Sequence, residues 1–213
     1  MGEVANLGRM VEQATLGAVE ALDQRDKQTA RRIYRADENI NDKRFEIENA
    51  ILSTIATQQP MARDLRVLAA SLEVITELER MGDYAKGIAR VCIGLADEPH
   101  LISMAQLRKM ADLAVDMLHR AIDALIEEDE QTARSIPDDD DAIDALFRAV
   151  QRELFKYMGE DSDATERANQ LLWAAHNLER MADRVTNICE RTIFITTGQL
   201  IELDVSDDEA LNF

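Results

Sequence analysis

Aromatic residues make up only 4% of this 213-residue chain, and it holds just three prolines and eight glycines. So little turn-forming material argues against a turn-rich sheet protein and favours helix. No uncharged apolar run approaches the roughly 20 residues a membrane helix needs, and no basic-then-apolar leader opens the chain. The two cysteines, Cys92 and Cys189, lack metal-type spacing. They read as small buried hydrophobes in a reducing compartment, which makes the cytoplasm the expected location. Positive charge is scarce as well. Lys and Arg total 24 against 42 Asp and Glu, a net charge of −18, and a phosphate backbone would be repelled by it. General nucleic-acid binding is thereby excluded, while cations and basic partner surfaces are favoured. Adaptation to a salty cytoplasm would also give an acidic surface, but it does not place particular acids. No Gly-rich phosphate loop, H-E-x-x-H pair or nucleophile–histidine arrangement is present, so an enzyme is not indicated.

What the chain does have, it has twice. D-K-Q-T-A-R-R-I-Y-R-A-D-E-N-I-N from Asp26 returns as D-E-Q-T-A-R-S-I-P-D-D-D-D-A-I-D from Asp129. E-L-E-R-M-G-D (Glu77 to Asp83) returns as N-L-E-R-M-A-D (Asn177 to Asp183). Two matches at nearly one offset imply a supersecondary unit of about 100 residues used in tandem. Two copies are too few for a solenoid, and 213 residues suffice for one or two domains with a real core.

Apolar residues recur at steps of three and four from Val4 to Leu22, the helical period. Asp26 is placed to cap a short helix, a long helix is predicted from Asp37 to Ala56, and Pro60 marks a break. A further helix is predicted from Ala62 to Leu95. The second copy gives helices near Ser103 to Glu127, Asp139 to Met158 and Asp163 to Ile195. No segment alternates like a strand. The expected fold is all-α, a tandem repeat of two three-helix bundles with long antiparallel helices over residues 1–96 and 103–196. A tail over 197–213 is expected to be ordered only in part.

On the long helix, Glu79 and Asp83 fall on the stripe that Leu68, Leu72 and Ile75 occupy earlier, at about 100° per residue. Glu179 and Asp183 do the same after Leu172 and Ala175. Carboxylates at i and i+4 stand one above the other and repel, and partial burial adds a desolvation cost. Inward-turned Arg80 or Arg180, protonation, or a bridging cation could relieve it. Oxygen-only ligation suits Mg, Ca, Mn or iron. Asp37 and Asn41, matched by Asp140 and Asp144, form a second i, i+4 pair that an adjacent helix could bring opposite the first. Asn187 and Glu190 extend the second stripe, where the first has Gly87 and Arg90. The two sites are therefore expected to be unequal, with Arg90 supplying part of a cation's charge in the first. His176 before Glu179 reverses the Glu-x-x-His order of di-iron bundles, and His100 and His119 read as connector and surface residues.

This duplicated unit resembles the PhoU family of phosphate-transport regulators. The matching residues are Leu78 to Asp83, Leu178 to Glu190, Asp37 to Asn41, Asp140 to Asp144 and Gln59 to Arg66. The resemblance implies a PhoU-like fold and a cytoplasmic homodimer. It also implies a negative regulator of phosphate uptake and phosphate-starvation signalling, in contact with a phosphate ABC transporter, a sensor histidine kinase or both. Neither nucleic-acid binding nor membrane insertion is expected. It further implies iron, Mn, Mg or Zn at Glu79, Asp83, Glu179, Asp183, Asp37, Asn41, Asp140 and Asp144, with the second site the stronger. By the same likeness the chain begins partway along the family's first helix. A metal-dependent hydrolytic or redox enzyme using these acids, and a purely structural adaptor, are the alternatives.

Overall fold

The computed structural model describes residues 1–158 and 162–203. These form seven α-helices and no β-strand. The first half holds α1 (Gly2–Gln24), α2 (Lys27–Gln58) and α3 (Arg63–Leu95). The second holds α4 (Ala105–Glu127), α5 (Glu130–Ser135), a 3-10 turn (Ile136–Asp139), α6 (Asp140–Leu154) and α7 (Ser162–Thr197).

The duplication is visible at the level of single hydrogen bonds. α1 stops where Arg25 turns left-handed at φ 57°, and α4 stops where Glu128 does so at φ 54°. The next residue closes the turn in both: the Asp26 amide donates to Ala21 O at 2.8 Å, and the Asp129 amide to Ala124 O at 2.9 Å. Each Asp then caps the following helix. Asp26 Oδ1 accepts from the amides of Gln28 and Thr29 at 3.0 Å, and Asp129 Oδ1 from that of Thr132 at 3.1 Å. Orphan N-terminal amides are satisfied in this way, which fixes where the helix begins.

After the cap the halves diverge. The short helix expected after Asp26 and the long one expected from Asp37 are one 32-residue helix, α2. Asp37 starts nothing; it lies in mid-helix, on the face turned to α3. In the second half Pro137 stands where the first has Tyr34. A proline has no amide to donate and clashes with the carbonyl four residues back, so the path breaks into α5, the 3-10 turn and α6. Helix α6 also ends at Leu154 rather than near Met158.

Within each half the helices pack on one another, and the halves meet along α1·α4 and α3·α7. The core is continuous across that seam, from Leu7, Val11, Leu22, Ile75, Leu78 and Met81 to Leu107, Leu118, Leu178 and Met181. α2 and α6 lie outside this four-helix centre, on opposite flanks. Cys92 and Cys189 are fully buried, and burial pushes their thiols up to about 11 and about 12. Of the expected tail, Ile201 and Leu203 pack on the core, while residues 204–213 lie outside the described residues. No helix among the described residues is long and apolar enough to cross a membrane.

Candidate carboxylate sites

The acid rows of α3 and α7 face the outer helices α2 and α6. In the first half, Asp37 of α2 is only 5% exposed. The chain can place a carboxylate there because Lys86 of α3 reaches it: Nζ donates to Asp37 Oδ2 at 2.7 Å and stands 3.6 Å from Asp83 Oδ1. Asn41 Nδ2 donates to the same Asp37 oxygen at 3.3 Å. The bond to Asp37 holds the Lys86 ammonium above the ordinary lysine range, so the lysine stays charged. Burial, then the neighbouring Asp83 charge, push Glu79 above the usual carboxylate range, with Asp37 adding to the effect. Asp83 itself is half exposed at 52%. These four expected site residues do meet, around a lysine that the acid spacing alone did not indicate. Arg90, expected to supply the charge, is instead exposed.

The second half brings Glu179 and Asp183 of α7 beside Asp144 of α6. Burial first, then the charges of Asp183 and Asp144, raise Glu179 to about 7, partly opposed by Arg180. The side chain is 20% exposed. Its Oε2 is 2.9 Å from His176 Nδ1, an ion pair when the imidazole is protonated. His176 also stacks on Phe147 of α6, with ring centroids 5.7 Å apart. Asp144 accepts from Arg148 Nη1 at 3.0 Å. Asp140 is half-buried next to the 3-10 turn. Thr186 occupies the position that Lys86 has in the first half, so no ammonium enters from α7.

Neither arginine that might have turned inward does so. Arg80 pairs with Glu77 at 2.8 Å, and Arg180 stacks over the Tyr84 ring at 4.7 Å. Asn187 and Glu190 do not extend the second row. Asn187 Nδ2 donates to Glu77 Oε2 at 3.2 Å across the α3·α7 seam. Glu190, 9% exposed, accepts the Leu203 amide at 2.9 Å and so ties the tail to α7. Their i+4 and i+7 spacing is real, but α7 meets different neighbours there.

Among the described residues no three or more His, Cys, Asp or Glu side chains already converge on a point where a metal ion would be held. The halves nonetheless differ in fit. The first has its acids occupied by an ammonium, and a second cation there would be repelled. The second has a half-buried Glu179 with no lysine beside it, touched by His176 at 2.9 Å and near Asp183 and Asp144, which is donor chemistry a hard cation takes.

Two helical bundles fused along their long helices, each turning a row of acids toward its outer helix, define a duplicated all-helical protein that presents carboxylates. A family model described as the PhoU domain matches residues 4–92 and 107–192. The chain is 34% identical, over 95% of its length and 93% of the relative's, to a phosphate-specific transport system accessory protein PhoU homolog of Clostridium acetobutylicum. It is 33% identical to the accessory protein PhoU of Escherichia coli K12, over 92% of this chain and 82% of that one. The crystal structure of the phosphate transport system regulatory protein PhoU from Streptococcus pneumoniae superimposes with a TM-score of 0.86 at 31% identity, covering 94% of this chain and 95% of that one. PhoU from Pseudomonas aeruginosa gives the same TM-score and identity over 93% and 95%. The chain belongs to the PhoU family.

Proposed function

We propose that this protein is a non-enzymatic accessory regulator of phosphate-specific transport. It restrains uptake and phosphate-starvation signalling through contacts with a phosphate ABC transporter, a sensor histidine kinase or both. The observation that carries this reading is likeness along nearly the whole chain to relatives named as accessory proteins of that system. The acidic surface supports it, since it suits a basic docking face on a partner. We place the protein in the cytoplasm as a homodimer, on the family resemblance.

A metal centre in the second half is part of the proposal. Glu179, Asp183, Asp140 and Asp144 would hold the ion after modest side-chain movement, and the ion would supply the positive charge their proximity calls for. Burying like charges this close costs several kcal/mol unless a counter-charge enters.

Deleting the gene in its host and following phosphate uptake together with a phosphate-starvation reporter tests the regulatory role. The expected outcome is uptake and reporter activity that stay high in phosphate-rich medium and return to normal on complementation. Unchanged uptake and reporter refute it. Elemental analysis of protein purified without chelator tests the metal. Wild type is expected to retain an ion that a Glu179→Gln/Asp183→Asn variant loses, and equal emptiness of the two sinks that part.

A further inference from the structure

The halves share one plan, yet three matched positions around the acid rows differ together. Tyr34, Gly82 and Lys86 of the first half are Pro137, Ala182 and Thr186 in the second. In the first half the three act on one point. Gly82 lets α2 come close to α3: a Cβ there would stand 3.0 Å from Ile40 Cγ2 and 3.7 Å from Asp37 Oδ1. α2 runs unbroken through Tyr34, whose ring centroid lies 5.6 Å from Lys86 Nζ, a range at which a ring attracts a cation. Lys86 then reaches Asp37 and Asp83 at 2.7 and 3.6 Å. In the second half the proline breaks the helix that would carry the ring, and the threonine brings no charge. Asp144 also replaces Asn41, which makes the second row more negative, and that row has no counterpart of Lys86.

We infer that the Lys86 ammonium is the resident cation of the first half and closes that half's acid row to metal, so the chain takes its metal ion in the second half alone. This rests on the reading that the second-half acids hold a cation. The physical case is competition for the same oxygens. A hard divalent ion needs carboxylate oxygens at about 2.0–2.6 Å. Here the inward oxygen of Asp37 already accepts from Lys86 and Asn41. A tethered ammonium is present at every metal concentration, whereas a bound ion is present only above its dissociation constant. One half is therefore braced permanently and the other conditionally, so that metal supply acts on α6 and α7 without loosening α2 from α3.

The test counts Mn²⁺ bound per chain by calorimetric titration of chelator-treated, full-length protein, with thermal melts alongside. Wild type should bind one ion, Lys86→Thr two, and Thr186→Lys none. Two ions on wild type, or a folded Lys86→Thr that still binds one, overturns the inference. Should Lys86→Thr not fold without metal, Thr186→Lys decides: retention of the wild-type ion overturns it, and loss supports it. No ion on wild type but one on Lys86→Thr upholds the role of Lys86 and defeats the second-half metal reading. No ion on either defeats both.

Discussion

Glu179 offers a quantitative test of how the second acid row is stabilised. Its carboxyl titrates at about 7 in the folded protein, against 4.5 ordinarily, with burial the main cause and the Asp183 and Asp144 charges next. Below the unfolded value the group is protonated in both states and costs nothing. As pH rises from 4.5 through about 7, the unfolded chain ionises first, and folded stability falls by up to ~3 kcal/mol at ~1.4 kcal/mol per pKa unit. The side chain is 20% exposed, and Arg180 and His176 lie near it, so solvent and neighbour screening reduces the expected loss to about 1–2 kcal/mol. Glu179→Gln removes the titration while keeping the shape. In metal-free buffer the variant should melt ~3–6 °C above wild type at pH 8, at about 2–4 °C per kcal/mol for a chain of this size. Its advantage should vanish at pH 4. Adding millimolar Mn²⁺ at pH 8 should reverse the order, because selective binding to the folded state raises only the wild-type melting temperature. Paired melts at pH 4, 6 and 8, with and without Mn²⁺, measure all of this. A variant less stable than wild type at pH 8 without metal refutes the reasoning, since it means the Glu179 charge is already compensated within the chain.

Gly87 marks a close approach of the halves: a Cβ there would lie 2.6 Å from the Trp173 ring and 2.9 Å from Asn177 Nδ2. Gly87→Ala should therefore cost ~1–3 kcal/mol by overpacking and shift the fluorescence of Trp173, the only tryptophan; an unchanged melt and spectrum count against that contact. Cys92 and Cys189, buried with thiols raised to about 11 and about 12, should resist a thiol-specific reagent at pH 8 until the chain unfolds, and labelling of native protein contradicts their burial. Removing a helix cap should cost ~1 kcal/mol at either site. Asp26→Ala and Asp129→Ala should thus lower denaturation midpoints to a similar extent, and a large disparity argues against their equivalence.

The repeat made much of this architecture legible, because each feature could be read twice. The caps at Asp26 and Asp129, the interruption at Pro60 and the burial of both cysteines follow from local chemistry, which a sequence carries. The continuity of α2 through Asp37 does not. An aspartate amid polar residues reads as a helix start, and only a lysine arriving from another helix makes it an internal residue. The role of Lys86 is hidden for the same reason: it sits three residues beyond Asp83, and its reach to Asp37 depends on how closely α2 crosses α3 at Gly82. The usable signal was the comparison of copies, in which Lys86 answers to Thr186 and Tyr34 to Pro137. Asn187 and Glu190 show the opposite error. Their spacing from Asp183 is helical, but α7 is 36 residues long and meets α6, α3 and the tail in turn, so a shared stripe does not mean a shared neighbour.

The seam between the halves shows why the copies had to diverge. α3 and α7 lie against each other, so positions near 77 on one helix meet positions near 84 and 87 of the matching stretch on the other. Had the copies stayed identical, both crossings would be alike, and α3 would pair with a second α3 as well as with α7. Instead one crossing sets Glu77 against Arg184 and Asn187, each at 3.2 Å. The other sets the smaller Asn177 against Gly87, at its Cβ limit. Arg191 to Glu73 at 2.7 Å repeats the polarity further along, with acid on α3 and base on α7. An α3–α3 pairing would put Glu77 against Tyr84 and Gly87 and leave it only Arg80 of its own helix, losing the bonds from Arg184 and Asn187, roughly 1–3 kcal/mol per crossing. Charge divided between the copies therefore selects the pairing of unlike halves, and it leaves the acid rows on the outer flanks, facing α2 and α6.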